Sequence, residues 1–127
     1  MFILLLILFL FQVKHWFVDW VFQSQVMIDH KGIYGDRRGI DHSVQHGIWS
    51  AAFLVWFVVA GIVTIPIMLL ACFLEVVAHY HIDYVKMRYG ATDPSKKPFW
   101  MHLGFDQMVH QIWYLLMTAL LLYGSGV

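Results

Sequence analysis

The sequence predicts an all-α protein, a four-span transmembrane helical bundle that forms one integral membrane domain over residues 1–127. Of these residues, 61% are hydrophobic and only 13% are charged, about half the charged share of a soluble domain. Apolar runs long enough to cross a bilayer alternate with two short polar loops. Eight basic residues balance eight acidic ones, so the composition excludes a basic nucleic-acid binder and indicates a lipid bilayer as the partner.

The first predicted span covers about residues 2–28. Residues 1–11 contain no polar side chain, and the apolar character continues past His15 and Asp19. No basic residue precedes this run and no small-residue cleavage site follows it. A retained spanning helix therefore fits the pattern better than a signal peptide does.

The next apolar block, residues 47–74, has 28 residues without an acidic residue, a basic residue or a histidine. One straight helix of that length would be about 42 Å long, more than the roughly 30 Å hydrocarbon core. We expect two spans instead, at about residues 42–62 and 65–88, with a tight turn between Gly61 and Pro66. The alternative is a single span kinked at Pro66, which would give three spans in all.

The basic residues favour two spans. They cluster in both polar loops, at Lys31, Arg37 and Arg38 and then at Lys86, Arg88, Lys96 and Lys97. A hairpin places both clusters on one side of the membrane, as the positive-inside rule expects, whereas a single span would separate them. We therefore predict a fourth span at about residues 104–123 and cytoplasmic polar loops.

Polar residues recur four positions apart within the spans. The pairs are His15 and Asp19, His42 and His46, His79 and Asp83, and Asp106 and His110. A spacing of four places both members on one helix face, as in the zinc-binding HExxH helix. In the four-span topology, each His/Asp pair places its histidine deeper and its aspartate nearer the cytoplasmic side.

These pairs predict a buried centre for a divalent metal. The predicted ligands are His15, Asp19, His46, His79, Asp83, Asp106 and His110. A charge in mid-bilayer costs roughly 2.5–3.5 kcal/mol, so the carboxylates need partners, which could be a metal or Lys14 and Lys86. Seven candidates exceed the four ligands of one closed zinc site, so we expect either two ions or one ion with supporting carboxylates. Nitrogen and oxygen ligands favour zinc, with iron or manganese as alternatives.

The other polar residues are interpreted without metal. His81 and His102 are expected to make ordinary hydrogen bonds. For His30 and His42, a solvated loop or helix-cap role is at least as good an interpretation as ligation. Glu75 lies about 12 Å along the helix from Asp83, too far to share an ion with it. Gln23 and Gln107 are expected to hydrogen-bond to the ligands.

The pattern resembles that of a family of small bacterial and phage membrane proteins known as a domain of unknown function. The matching motifs are HxxxDxxxQ at residues 15–23, Lys31, His46, HxxxDxxK at residues 79–86 and DQxxH at residues 106–110. His42 and Glu75 are not part of that pattern. The resemblance implies a polytopic membrane protein with metal ligands and no established activity. We therefore expect the chain in a bacterial inner membrane.

The predicted function is a membrane-embedded, metal-dependent hydrolase that acts on a lipid or membrane-proximal substrate. Asp19, Asp83 and Glu75 are the candidate general bases. An anionic lipid headgroup could be held by the cations Lys31, Arg37, Arg38 and Lys86. The alternative is a non-catalytic subunit of a homo-oligomer or larger membrane complex, in which the metal staples the bundle. Ion permeation and b-type haem fit less well, because the non-cytoplasmic half lacks polar residues and a carboxylate accompanies most of the histidines.

Overall fold

The computed structural model describes residues 1–126, and Val127 lies outside the described residues. The elements are α1 (Phe2–Trp16), a π-helical segment (Phe17–Val21), α2 (Gln25–His30), α3 (Arg37–Val59), α4 (Ile65–Tyr89) and α5 (Lys97–Gly124). No strand occurs within residues 1–126, so the predicted all-α class is confirmed.

Local signals set the ends of the helices. The Asp36 side chain accepts a hydrogen bond from the Arg38 N–H at 2.9 Å, and this N-cap makes α3 begin before the predicted span at residue 42. Pro66 and Pro98 lie in the first turns of α4 and α5, where a missing N–H costs no helical hydrogen bond. Helix α5 therefore also begins earlier than its predicted span.

The first helical segment is shorter than its predicted span. The Phe22 N–H donates to the Phe17 carbonyl at 2.9 Å, which closes the π-helical segment. Ser24 is extended, with φ −84° and ψ 156°, and its side chain accepts from the Met27 N–H at 3.3 Å. This N-cap starts α2 as a separate helix, so the chain does not continue as one helix to residue 28.

Helices α3 and α4 form an antiparallel hairpin. Gly61 has φ +70°, a left-handed conformation that glycine adopts readily, and the chain reverses there. Ser50 contacts Glu75, and His42 contacts His79 at 3.2 Å. Residues later in α3 therefore contact residues earlier in α4, so the two helices run in opposite directions. The reversal contradicts a single kinked helix over residues 47–74.

The interior has an apolar half and a polar half. The apolar half consists of Ile7, Phe11, Leu54, Phe57, Val63, Ala71, Tyr114, Met117 and Leu121. It lies at the end of the bundle that holds the α3–α4 turn. The polar half lies toward the loops and contains most of the buried histidines and carboxylates. All these groups face one another inside the bundle, while large apolar side chains occupy much of the outer surface.

Two segments within residues 1–126 are long and apolar enough to cross a membrane, namely Phe2–Val21 and Ile65–Tyr89. Helices α3 and α5 do not reach the same hydropathy, because polar residues such as His42, His46 and Gln107 lower their averages. Composition therefore identifies two candidate spans, and the four-span bundle stays a prediction.

Candidate metal centre

Four buried side chains, Asp19, His42, His46 and His79, bring one ligand atom each to within 4.8 Å of the others. We call them the four-ligand group. The Asp19 Oδ1 atom lies 3.0 Å from His42 Nε2, 2.9 Å from His46 Nε2 and 3.6 Å from His79 Nε2. A tetrahedral zinc site with bonds of about 2.0–2.1 Å separates its ligand atoms by roughly 3.4 Å. The group therefore has the dimensions of a metal site.

The contact between two histidines supports this interpretation. His42 Nε2 and His79 Nε2 lie 3.2 Å apart, so at most one of them can carry a proton in that contact. Both nitrogens also face the same oxygen of Asp19. A cation between them would accept both lone pairs and the carboxylate charge together. The donor set therefore fits a divalent metal.

Different elements supply the four ligands. His42 and His46 lie one turn apart on α3, and His79 lies on α4. Asp19 is the middle residue of the π-helical segment, which interrupts the regular helix where the carboxylate meets the histidines. Such π-helical turns occur frequently at functional sites.

Two overlapping groups extend the cluster toward α5. One consists of Asp83, Asp106 and His110, and the other of His15, His79 and His110. Asp83 connects its own group to the four-ligand group, because its Oδ1 is 3.3 Å from His110 Nε2 and its Oδ2 is 3.2 Å from His79 Nε2. The structure thus brings all seven predicted ligands into one buried cluster and adds His42.

Polar neighbours hold the cluster in place. The Lys31 ammonium lies 2.6 Å from Asp83 Oδ2. Gln107 Oε1 lies 3.0 Å from His15 Nε2, and the Gln107 amide donates to Asp106 at 3.1 Å. Gln107 therefore has the predicted hydrogen-bonding role. Gln23 does not, because its buried Oε1 has no partner among the described residues.

A buried ion pair lies behind the four-ligand group. Lys14 pairs with Glu75, whose second oxygen accepts a hydrogen bond from Ser50. The Lys14 ammonium also lies 3.1 Å from His46 Nδ1 and 3.2 Å from the Tyr114 hydroxyl. Lys14 thus neutralises a carboxylate, as one of the two alternatives predicted. The Glu75 carboxylate is buried in this ion pair and does not face solvent.

A cavity of about 570 Å³ adjoins the cluster on the loop side. Asp19, Asp83 and Asp106 line it from the cluster, and Lys31 and Lys86 line it from the loop side. We call it the access cavity. Its volume is within the range of small-molecule sites.

A family profile matches nearly the whole chain. The family is described as "Protein of unknown function (DUF3307)", and the match covers residues 5–125. The chain belongs to this family. The match spans every residue of the His/Asp cluster, and it confirms the predicted membership in an uncharacterised family. No curated protein and no solved structure matches the chain.

The interpretation of His42 as a solvated loop or cap residue is wrong. Its side chain is fully buried, because α3 begins at Arg37 and carries His42 into the bundle. The signal that could have identified it was its spacing of four from His46 on one helix face.

The remaining histidines lie outside the cluster, as expected. His81 contacts the Tyr34 hydroxyl at 3.3 Å, and its Nδ1 lies 2.7 Å from the Val77 carbonyl. His102 accepts a hydrogen bond from the Ala91 N–H at 2.8 Å, and His30 lies 2.8 Å from the Val26 carbonyl.

The predicted basic residues are in two different environments. Arg37 pairs with Asp41 at 3.4 Å, and Arg38 with Asp36 at 3.6 Å, and neither arginine lines the access cavity. Lys31 is buried against Asp83 rather than free in a loop. Lys86 lines the access cavity, and it forms no ion pair within residues 1–126, so the alternative in which Lys86 neutralises a carboxylate is not observed.

Proposed function

We propose that the chain is a membrane-embedded, metal-dependent hydrolase that acts on a lipid or membrane-proximal substrate. The observation that carries the proposal is the position of the four-ligand group beside the access cavity. A buried ligand set alone would suffice for a structural ion. A ligand set next to a cavity with acidic walls and two lysines is suited to chemistry on a bound substrate.

The polarity of α4 supports a membrane location. Glu75, His79 and Asp83 face the interior, while Leu69 and Phe73 are 58% and 64% exposed. A water-soluble helix has the opposite arrangement, with its apolar face inside. In a four-span bundle, lipid would cover the exposed apolar faces of the helices. The polar loops would then lie on the cytoplasmic side.

Zinc is the favoured ion, because the ligands offer nitrogen and oxygen atoms at tetrahedral spacing. Bound there, it would supply Lewis-acid activation of water and of a carbonyl or phosphoryl oxygen. Asp19 would be one of the residues that hold the ion, and its Oδ2 lies 3.1 Å from His15 Nε2, which orients the carboxylate.

Asp83 is the general base in this proposal. It lines the access cavity and lies 3.2 Å from His79, next to the four-ligand group. It accepts a proton from water while the water oxygen bonds to the carbonyl carbon or phosphorus of an ester. The bond from that atom to the leaving oxygen breaks, and the leaving oxygen takes up the proton. Glu75 does not line this cavity, so it has no part in the step.

A structural role is the second candidate. The ligands come from the π-helical segment, α3 and α4, and the adjoining group adds α5. One or two ions would therefore tie together all the long helices. In that case the chain would be a metal-stapled subunit of a larger membrane complex, or a homo-oligomer, without chemistry of its own.

The test combines metal analysis with hydrolysis of phospholipid vesicles by the purified full chain. We expect at least one zinc, iron or manganese ion per chain and release of a lipid fragment that chelation abolishes. Asp83→Asn should lower the rate by at least about 100-fold while the four-ligand group keeps its ion. Asp93→Asn, in the exposed loop, is the matched control.

Absence of metal above background would overturn both candidate functions. Bound metal without lipid hydrolysis, together with loss of assembly in His79→Ala, would favour the structural subunit.

A further inference from the structure

A second cavity, of about 460 Å³, lies between the C-terminal half of α4 and the N-terminal half of α5. Its walls include Ile82, Val85, Phe105 and Val109. Val85 and Phe105 are 54% and 64% exposed, so the cavity is an open groove on the outer surface of the bundle. We call it the α4–α5 groove.

The α4–α5 groove and the access cavity are neighbours. Lys86, Gly90 and Asp106 line both of them. A molecule bound beside these shared residues would have the polar cavity near one end and the apolar groove near the other. This arrangement matches an amphiphile, whose headgroup and hydrocarbon chain need different surroundings.

Lys86 is the cationic side chain at this junction, and Asp106 is the acidic one. Its ammonium forms no ion pair within the described chain, and its only hydrogen-bonding contact is with the Met87 sulfur at 3.5 Å. The other two lysines near the cluster are neutralised, Lys14 by Glu75 and Lys31 by Asp83. Lys86 is thus the cation available to an anionic headgroup.

We infer that the substrate is an anionic phospholipid, with its phosphate beside Lys86 in the access cavity and one hydrocarbon chain in the α4–α5 groove. This inference rests on the proposed function in one respect, because it treats the bound lipid as the molecule that the hydrolase cleaves. The lipid would bind in the same position whether or not it is cleaved. In this position the headgroup esters lie next to Asp83 and the four-ligand group, which also line or adjoin the access cavity.

The test is photo-crosslinking of the full chain in lipid nanodiscs with a phosphatidylglycerol that carries a diazirine on one hydrocarbon chain. Peptide mapping should find the label concentrated on residues 82–90 and 102–109. Unlabelled phosphatidylglycerol should compete for this labelling, and phosphatidylcholine, which has no net charge, should not.

Two pairs of variants locate the headgroup and the chain. Lys86→Gln should lower groove labelling about fivefold, the effect of one lysine near an anionic lipid, while Lys97→Gln should leave it unchanged. Val109→Trp fills the groove and should displace the label, whereas Leu116→Trp, on the outer surface of the same helix, should not.

Metal content measured on the same sample separates the two proposals. If metal-bound protein were labelled uniformly over its whole outer surface, the lipid site would be overturned and the metal centre would be unaffected. Selective groove labelling of protein that never binds metal would retain the lipid site and overturn the hydrolase. Equal competition by both lipids would overturn the role of Lys86.

Discussion

His79 links two of the ligand groups in the cluster. Its Nε2 atom lies 3.6 Å from Asp19, 3.2 Å from His42 and 3.2 Å from Asp83. The residue belongs both to the four-ligand group and to the group with His15 and His110.

We expect His79→Ala to abolish metal binding, because three remaining ligands would face the space left by the imidazole. Elemental analysis of the purified variant measures the effect. His81→Ala is the matched control, since His81 lies two residues away on an exposed face and should retain full metal content. Equal metal content in both variants would contradict the four-ligand group.

The buried pair of Lys14 and Glu75 supports a second prediction. Lys14→Met leaves the Glu75 carboxylate buried without its cation, which should lower the free energy of unfolding by about 3–5 kcal/mol. Adding Glu75→Leu should restore most of this loss, because a buried pair replaced by apolar groups is often neutral. Denaturant unfolding in detergent micelles measures both changes.

Arg37→Gln provides the control for this pair. It breaks an ion pair in which the arginine side chain is 90% exposed, and exposed pairs contribute little, so stability should not change measurably. A Lys14→Met variant as stable as Arg37→Gln would show that the buried pair is unimportant.

At the level of single residues, spacing predicted more of the site than residue type did. The four i,i+4 pairs contain all eight members of the cluster, seven of which were predicted ligands, because that spacing fixes a common helix face. Lys31 could not be placed in this way, since it lies in a turn whose path depends on tertiary contacts. Its ion pair with Asp83 follows from the folded loop and not from a local pattern.

Among the elements, α3 and α4 approach each other closely at Gly47. A Cβ atom at this position would lie 2.6 Å from the Val76 side chain and 3.3 Å from the Cys72 carbonyl oxygen. The missing side chain allows the two backbones to come together, as small residues do between membrane helices. This contact sets the spacing at which His42 and His46 meet His79.

We predict that Gly47→Ala destabilises the protein by about 1–3 kcal/mol through overpacking and weakens metal binding. Gly104→Ala is the matched control, because a Cβ atom there would meet nothing within 4 Å. Thermal unfolding and metal titration of both variants measure the difference. Gly104→Ala should raise stability, because alanine favours the helix more than glycine does. The same gain in Gly47→Ala would contradict the close packing of α3 and α4 at this position.

The helices themselves were largely predictable, but their ends were not. Long apolar runs and the Gly61–Pro66 turn indicated the hairpin that the structure shows. The end of the first helical segment depends on the π-helical turn and on the Ser24 N-cap, which the hydrophobic pattern does not contain. The early start of α3 depends on the Asp36 cap in the same way.

For the whole molecule, the α3–α4 turn and the end of α5 lie at the same end of the bundle. The Thr64 N–H donates to the Ser125 hydroxyl at 3.1 Å. The loop around Gly35, where φ is +80°, lies at the opposite end with α2 and the polar half of the interior. In the four-span proposal these two ends face opposite sides of the membrane.

Reporter fusions can test this topology. A reporter that is active only in the cytoplasm should be inactive when inserted after Thr64 and active when inserted after Gly35. Both positions are exposed turns outside the long helices, so each is the control for the other. Cytoplasmic activity at Thr64 would contradict the four-span arrangement.

The buried pair also has a consequence for biosynthesis. Lys14 and Glu75 are 61 positions apart, so the ribosome completes α1 well before it begins α4. In the proposed membrane setting, the nascent α1 carries an ammonium group that has not yet met its carboxylate. Until α4 is made, the Lys14 ammonium has no buried Glu75 carboxylate to pair with, and the arrival of α4 during translation supplies it. A chain truncated before Glu75 should consequently be a preferred substrate for membrane quality-control proteases.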